Sequence, residues 1–277
     1  MTANLETIHS SDEIEDRKAP LLEHLKELRK RIIICLIALI IGFCICLFFV
    51  RPIFDFLVEP FQVAIGNVNK DLIKEGKPIL EGDLIYTQVL EFFFVKLRIA
   101  LFGGLVFSFP VIAYQVYRFV APGLYKNERG AFLPYLILSP ILFLAGTAMV
   151  FSYVLPYVLE FGLRQQQDFS GGASISLLPK VSEYLSLSMT LFVAFGLSFQ
   201  LPVVLSLLGR VGIVSAAGLK RSRRYAIFGI FVFAAFVTPP DPITQSALGI
   251  AIYLLYEISI LSVSMIEKKD KTQENET

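Results

Sequence analysis

The chain has 277 residues, of which 55% are hydrophobic and only 18% are charged. This composition excludes a disordered chain and argues against an ordinary water-soluble domain. The 25 basic and 24 acidic residues leave a formal net charge of +1, so no overall electrostatic field would attract nucleic acid. Any effect of charge must therefore come from where the charged residues lie.

Four long apolar runs without a charged residue follow one another along the chain, at 32–50, 99–117, 131–159 and 184–209. A helix needs about 20 apolar residues to cross the hydrocarbon core of a bilayer, because every backbone polar group there must be satisfied within the segment. The runs therefore predict four membrane-spanning helices, the third of them ending near residue 156.

A fifth apolar stretch, 225–256, is interrupted by Thr238, Asp241 and three prolines between 239 and 242. Proline cannot continue a helix, since it lacks the backbone donor and clashes with the preceding turn. The stretch therefore predicts two short arms, at about 225–238 and 243–260, which form either two short helices or one re-entrant hairpin. A 14-residue arm is about 21 Å long, against a hydrocarbon core of about 30 Å.

Basic residues accumulate on the cytoplasmic side of membrane proteins. With six spans and a cytoplasmic start, the inner segments carry 17 of the 25 basic residues. We therefore predict an all-α integral membrane protein with both termini in the cytoplasm, although a re-entrant hairpin would preserve the same distribution. Residues 1–31 are a cytoplasmic tail with an amphipathic helix, 32–266 the membrane domain and 267–277 a second tail. The polar stretch 66–82 in the first outer loop is predicted to be an exposed insertion.

The residues argue against an enzyme and against a metal or cofactor. Both histidines, His9 and His24, precede the first span and cannot reach a buried nucleophile, and the four long runs contain no lysine. No glycine-rich phosphate-binding loop is present. The three cysteines, Cys35, Cys44 and Cys46, lie in one apolar run and have no ligand partners nearby.

Glu27 lies on a predicted amphipathic helix whose apolar stripe recurs at steps of four, three and four residues, at Leu21, Leu25, Leu28 and Ile32. Two interpretations stay open for this carboxylate. It can pair with Arg31 four positions on, as in many helices, or it can face outward and accept a guanidinium from a partner. Glu128, in the loop between the second and third spans, has a similar pair of interpretations, a solvated charge cluster or a binding site.

Polar residues close to the membrane are the other candidates. Gln200, Thr238 and Gln245 are costly if they face lipid, and a hydrogen bond to a neighbouring helix would relieve that cost. Asp241 and Glu257 approach the membrane near the ends of the short arms, and we interpret Glu257 as an interfacial carboxylate at a helix end.

Three separated motifs, in this order, resemble the TatC family, the large multi-spanning subunit of the twin-arginine (Sec-independent) protein translocase. They are HLKELRKR at 24–31, FVAPGLYKNER at 119–129 and TPPD at 238–241. The stretches FPVI at 109–112 and FGLSFQLP at 195–202 also look like the second and fourth helices of that family. The resemblance covers nearly the whole chain.

The resemblance implies a cup-shaped bundle of six transmembrane helices, with the last two short, in the cytoplasmic (inner) membrane of a bacterium. It implies a core receptor that binds twin-arginine signal peptides and, with single-span TatA-type and TatB-type subunits, exports folded proteins using the proton-motive force. Self-association in a larger complex is also implied. A secondary transporter for a small solute is the alternative from another class.

The resemblance also implies roles for individual residues. The signal-peptide site corresponds to Glu27, Arg29, Phe119, Glu128 and Arg129, and two carboxylates suit two arginines because a planar guanidinium pairs with a carboxylate through two donors. The partner subunits correspond to a polar cluster at Thr238, Asp241 and Gln245, to which we add Gln200. Many relatives carry Glu at the position of Gln200, and a neutral amide cannot hold a proton-linked charge.

Overall fold

The computed structural model describes residues 3–80, 82–120, 133–168, 179–238 and 242–274. Within these residues the protein is built from helices, and its only β-type contact is an isolated parallel bridge between Ile85 and Lys180. The α-helices are α1 (Ala3–Phe48), α2 (Val50–Lys74), α3 (Glu91–Val120), α4 (Leu133–Met149), α5 (Leu155–Asp168), α6 (Val181–Ser198), α7 (Leu201–Arg210), α8 (Ala216–Arg221), α9 (Arg223–Val237) and α10 (Pro242–Glu274).

Two of the long helical segments contain local irregularities. A five-residue π-helix, Val150–Val154, joins α4 to α5, so that the chain is helical throughout 133–168. A turn at Phe199 and Gln200 separates α6 from α7, and Pro202 lies in the first turn of α7, where its missing N–H would have no helical partner. Both irregularities lie inside apolar segments that remain long enough to cross a membrane.

Five of the helical segments are long and apolar enough to cross a membrane, among the residues that the structure describes. They are Leu25–Phe48, Glu91–Phe119, Pro134–Arg164, Val181–Arg210 and Thr244–Lys268. In the first segment only 11% of the most apolar window is buried. Most of the large aliphatic side chains of this segment are therefore exposed, which would be unfavourable in water. The outer surface of α1 is thus suited to lipid.

The prediction that the last apolar segment is short is wrong. The helix α10 continues through Glu257, and its apolar segment from Thr244 to Lys268 has 25 residues. The sequence argument ended the segment at Glu257 because an unpaired charge is costly in a bilayer, whereas the structure pairs Glu257 with Arg223 at 2.6 Å. The preceding helix, α9, is short as predicted, with 15 residues.

The polar stretch of the first outer loop is likewise not simply an exposed insertion. Residues 50–74 form α2, and Phe61, Ala64, Val68 and Leu72 are buried on one side of it. These positions recur at three- and four-residue intervals, the period of an amphipathic helix, and α2 packs on α5. Of the lysines that made the stretch look polar, Lys70 and Lys74 lie on the opposite, exposed side of the helix, and Lys77 lies beyond its end.

Polar contacts fasten α2 to its neighbours at this end of the bundle, which we call the α2 end; the opposite end is the Glu27 end. Arg164 on α5 bonds the carboxylate of Asp71 at 2.6 Å, and Asn67 donates to Glu160 at 2.6 Å. The hydrogen bond from Arg164, assisted by Lys74, lowers the pKa of Asp71. Glu91 accepts from the backbone N–H groups of Thr87 and Gln88, so the start of α3 is capped.

The helices α1 and α3 run antiparallel and approach each other closely at two glycines. A Cβ atom added at Gly42 would lie 2.8 Å from the carbonyl oxygen of Gly104, and one added at Gly104 would lie 2.6 Å from the backbone nitrogen of Phe43. No side chain fits between backbones at these distances. Small residues are what allows two helices to pack this closely in a membrane, where dispersion contacts replace the hydrophobic effect.

Glycines mark other antiparallel contacts as well. Gly196 on α6 lies against the ring of Phe143 on α4, and Gly249 on α10 lies against the ring of Phe231 on α9. In both cases an added Cβ would come within 3.0 Å of the ring. Each of these helix pairs is therefore fixed in one register by a close glycine contact.

We expect Gly104→Ala to lower the stability of the purified protein by about 1–3 kcal/mol, because the extra methyl must push α1 away from α3. The measurement is the midpoint of thermal unfolding in detergent. Gly229→Ala is the matched control, since Gly229 lies inside α9 with open space around it and should tolerate the methyl group. Equal midpoints for both variants would show that the α1–α3 approach is not tight.

Candidate functional site

A cluster of polar side chains joins α1 to α3 at the Glu27 end. Arg31 donates from Nη2 to Oε1 of Glu27 at 2.6 Å and from Nη1 to Oε1 of Gln115 at 3.0 Å. Gln115 is buried, and the side chain of Arg31 is 15% exposed, whereas that of Glu27 is 32% exposed. The carboxylate therefore lies at the edge of the cluster and the guanidinium lies behind it.

The α1–α3 crossing explains why these residues meet. Arg31 precedes Gly42 by eleven residues on α1, and Gln115 follows Gly104 by eleven residues on α3. In an antiparallel pair with Gly42 facing Gly104, both side chains lie about 16 Å from the crossing, on the same side of it. The glycine contact thus fixes the level at which Arg31 reaches Gln115.

The interpretation that Glu27 pairs with Arg31 is confirmed. This pair does not exclude a guanidinium ligand, because a carboxylate has about four acceptor positions and can serve more than one donor group. The pair shows that the carboxylate of Glu27 can bind a guanidinium at this end of the bundle.

The other predicted residues of the signal-peptide site are placed differently. Phe119 is half-buried and follows Gln115 by one helical turn, so it lies on the same face of α3, towards the cluster. Arg29 is exposed, and its two-residue offset from Glu27 directs it to roughly the opposite side of α1. Glu128 and Arg129 lie outside the described residues, so the structure does not test whether they approach Glu27.

The predicted partner-binding residues lie largely at the α2 end. Thr238 is buried and donates to the backbone carbonyl of Ala234 at 2.9 Å, within its own helix. Gln245 is half-buried and its amide donates to the backbone carbonyl of Phe231 at 3.4 Å, which links α10 to α9. Asp241 lies outside the described residues. The structure therefore brings Thr238 and Gln245 to the same helix pair, α9 and α10.

Gln200 is separate from that pair. Its Oε1 accepts from the hydroxyl of Ser139 at 2.6 Å, and its Nε2 donates to the backbone carbonyl of Ser139 at 2.9 Å. Both residues line a largely apolar cavity of about 220 Å³ between α3, α4 and α7. A single residue on α4 thus satisfies both ends of the amide, which relieves the cost of burying it.

An ion pair that the sequence did not reveal lies between α9 and α10. Arg223 donates from Nη2 to Oε2 of Glu257 at 2.6 Å, and Glu257 lies 13 residues beyond Thr244 in the apolar segment that ends at Lys268. Glu257 therefore does not lie at a helix end, since α10 continues to Glu274, although its partner Arg223 is the first residue of α9. The interfacial position of Glu257 stays a prediction. A carboxylate within an apolar helical segment is tolerated when a guanidinium compensates it.

Sequence reasoning also missed Gln115. The signal was available, because Gln115 is the one strongly polar amide in the uncharged run 99–117. A polar side chain in a spanning helix usually faces a neighbouring helix, but the sequence does not say which one. Only the antiparallel packing of α1 on α3 identifies Arg31 as its partner.

The chain matches one family of known proteins over most of its length. The family model of the Sec-independent protein translocase protein (TatC) matches residues 23–268. The TatC protein of Magnetococcus marinus is 42% identical over 259 residues, which are 94% of this chain and 89% of that protein. The TatC protein of Escherichia coli strain K12 is 36% identical, with 94% of each chain covered. The chain belongs to the TatC family.

The structural comparison agrees with the sequence comparison. A crystal structure of a twin-arginine translocase receptor, TatC, matches this fold with a TM-score of 0.70 at 34% identity, covering 88% of this chain and 99% of that one. The resemblance recognised in the sequence motifs is confirmed. The all-helical membrane fold follows from the same match, because TatC and this chain share the arrangement of helices and not only their composition.

The contribution of the Arg223–Glu257 pair to the stability of this TatC family member can be measured with a double-mutant cycle. Arg223→Gln and Glu257→Gln should each destabilise the protein. The double variant should lose less stability than the two single variants lose in sum. We expect a coupling of about 1 kcal/mol, because Arg223 is 44% exposed and solvent weakens the pair. Thermal unfolding of the four proteins in detergent measures it.

Arg224→Gln is the control for this cycle. Arg224 is the next residue along the chain and bonds the hydroxyl of Tyr225, not Glu257. Its combination with Glu257→Gln should be additive. Additivity in the Arg223 cycle as well would show that the ion pair contributes nothing measurable.

Proposed function

We propose that this chain is the receptor subunit of a twin-arginine translocase, and that Glu27 binds an arginine of the signal peptide. The chemistry of the Glu27 cluster carries this proposal. A partly exposed carboxylate at the end of the bundle is already bonded to a guanidinium at 2.6 Å, so its surroundings accommodate a planar, charged donor. Family membership supports the same role, since a solved relative is a twin-arginine translocase receptor.

In the proposed mechanism, two carboxylates bind two arginines. Glu27 takes one guanidinium and Glu128, which follows α3 in the sequence, takes the other. Phe119 and Arg129 complete the surface around them, and Arg29 lies on the outer side of α1. Each carboxylate can receive two parallel N–H donors from a guanidinium but not from an ammonium, so arginine is favoured over lysine.

We also propose six spans with both termini in the cytoplasm of a bacterium, and residence in its cytoplasmic (inner) membrane. The five long apolar segments and α9 alternate in direction, which supports this topology. The excess of basic residues in the proposed inner segments supports it too. The helix α9 is only about 22 Å long, so the bilayer beside it must be thin or α8 must take up part of the depth.

The partners in this proposal are twin-arginine signal peptides of folded cargo and single-span subunits of the TatA and TatB type. We place the single-span helices on the surface of α9, where the large apolar side chains Phe228 and Phe236 are 72% and 88% exposed. Thr238 is buried and Gln245 already bonds α9, so these residues act by shaping the helix pair. Asp241 falls between α9 and α10 in the sequence, and Gln200 is bonded to α4 instead.

Export in this scheme uses the proton-motive force and involves no covalent chemistry of the chain's own. Gln200 is an amide bonded at both ends by Ser139, so a titrating role at that position is not part of the proposal. The alternative of a small-solute transporter is not supported, because the family match extends over residues 23–268 and the relatives are protein translocase subunits.

We expect Glu27→Gln to weaken the binding of an Arg-Arg signal peptide by roughly 10- to 150-fold, the effect of losing one charge-assisted hydrogen bond. Peptide affinity is measured by fluorescence anisotropy with the full chain in detergent. Glu59→Gln is the control, since Glu59 is an exposed carboxylate on α2 at the opposite end. If the wild-type chain binds Arg-Arg and Lys-Lys peptides equally well, the proposed recognition is wrong.

A second experiment tests the partner surface. A photoreactive phenylalanine analogue at Phe228 or Phe236 should crosslink single-span partner subunits co-expressed with the chain. The same analogue at Phe94, an exposed residue on α3, is the control and should give at most weak products. Crosslinking that is as strong from Phe94 as from α9 would contradict docking on α9.

A further inference from the structure

The guanidinium of Arg31 lies between the carboxylate of Glu27, the candidate recognition group, and the side chain of Gln115 on α3. One nitrogen, Nη2, bonds Glu27, and another, Nη1, bonds Gln115 on α3. The bond to Glu27 uses a single oxygen, Oε1, and a single nitrogen. Arg31 therefore does not make the two-point contact with the carboxylate that guanidiniums form at their strongest.

The side chain that anchors Arg31 is Gln115, which is held in a buried position on α3. Gln115 is 7% exposed, and the register of α1 on α3 is fixed by the contact of Gly42 with Gly104. Within the described residues, the Nε of Arg31 is buried and has no hydrogen-bond partner. The planar group is thus held by its two bonds and by packing, so it has one orientation to impose on the carboxylate that it touches.

We propose that Arg31, anchored by Gln115, is a positioning residue that fixes the carboxylate plane of Glu27 and thereby sets the preference for arginine over lysine in the signal peptide. The inference rests on the proposed function, since it assumes that Glu27 binds the peptide. A fixed carboxylate plane favours a guanidinium, whose two parallel donors require a defined orientation. An ammonium is close to a point charge and gains little from that orientation.

The charge of Arg31 and its geometry have separable effects. The positive charge repels an incoming arginine and an incoming lysine alike, so it changes both affinities and leaves their ratio nearly unchanged. The orientation of Glu27 changes the affinity for the arginine peptide alone. The ratio of the two affinities therefore measures positioning, and a merely structural role of Arg31 would not alter it.

The test compares matched Arg-Arg and Lys-Lys signal peptides on the full-length protein in detergent, with dissociation constants measured by fluorescence anisotropy. Arg31→Lys keeps the charge but lacks the planar fork, and Gln115→Leu keeps Arg31 but removes its anchor. Each variant should lower the preference for the Arg-Arg peptide by about tenfold, the effect of one hydrogen bond of about 1.4 kcal/mol. Affinity for the Lys-Lys peptide should change by less than about threefold.

Two matched controls accompany these variants. Arg118→Lys changes an arginine on α3 that stacks on Tyr114, and Gln62→Leu changes an exposed glutamine on α2. Both should retain the wild-type preference. If Gln115→Leu fails to fold, as judged by gel filtration, Gln115→Asn replaces it, because the shorter amide cannot reach Arg31.

The outcomes separate this inference from the proposed function. A wild-type protein that ignores the difference between the two peptides would overturn the proposed function itself. A wild-type protein that discriminates, together with unchanged preference in Arg31→Lys and the Gln115 variant, would overturn only the role of Arg31. Tighter Arg-Arg binding in Arg31→Lys would overturn it too, because Arg31 would then be a competitor for Glu27.

Discussion

The close contact of antiparallel helices at glycine is the constraint on which the rest of this structure depends. At Gly42 and Gly104 the backbones of α1 and α3 approach too closely for any side chain to lie between them. Such a contact fixes both the distance and the register of the two helices, since a shift along either axis would bring a larger side chain into the gap. Lipid supplies no hydrophobic force between helices, so the bundle depends on packing of this kind.

The same register places the polar groups of each pair opposite one another. Ser139 and Gln200 each lie four residues from the contact of Phe143 with Gly196, and Arg223 and Glu257 each lie eight residues from the contact of Phe231 with Gly249. Together with Arg31 and Gln115, these are three antiparallel pairs in which a glycine contact aligns a hydrogen-bonded pair. Because an unpaired polar group in an apolar medium is costly, alignment and polar pairing stabilise the same packing.

The two ends of the bundle differ in their polar contacts. At the α2 end, α2 packs on α5. The contacts of Asp71 with Arg164 and of Asn67 with Glu160 hold these two helices together. At the Glu27 end a partly exposed carboxylate is supported from behind by buried side chains. A rigid support and an accessible charged group are what the recognition of a planar guanidinium requires. The exposed apolar surface of α9 is a third region, suited to another helix rather than to a charged peptide.

The sequence determined the class of the protein, its four long apolar spans, the short arm at 225–238 and, through the motifs around Glu27, Glu128 and Asp241, its family. These features are local, because apolar length, proline and short motifs are properties of neighbouring residues. The tertiary structure alone decided that α2 packs on α5, that α10 continues past Glu257 with Arg223 as its partner, and that Arg31 bonds Gln115. Each of these depends on residues 30 to more than 80 positions apart, brought together only when two helices pack in one register, and no local pattern in the chain encodes that distance.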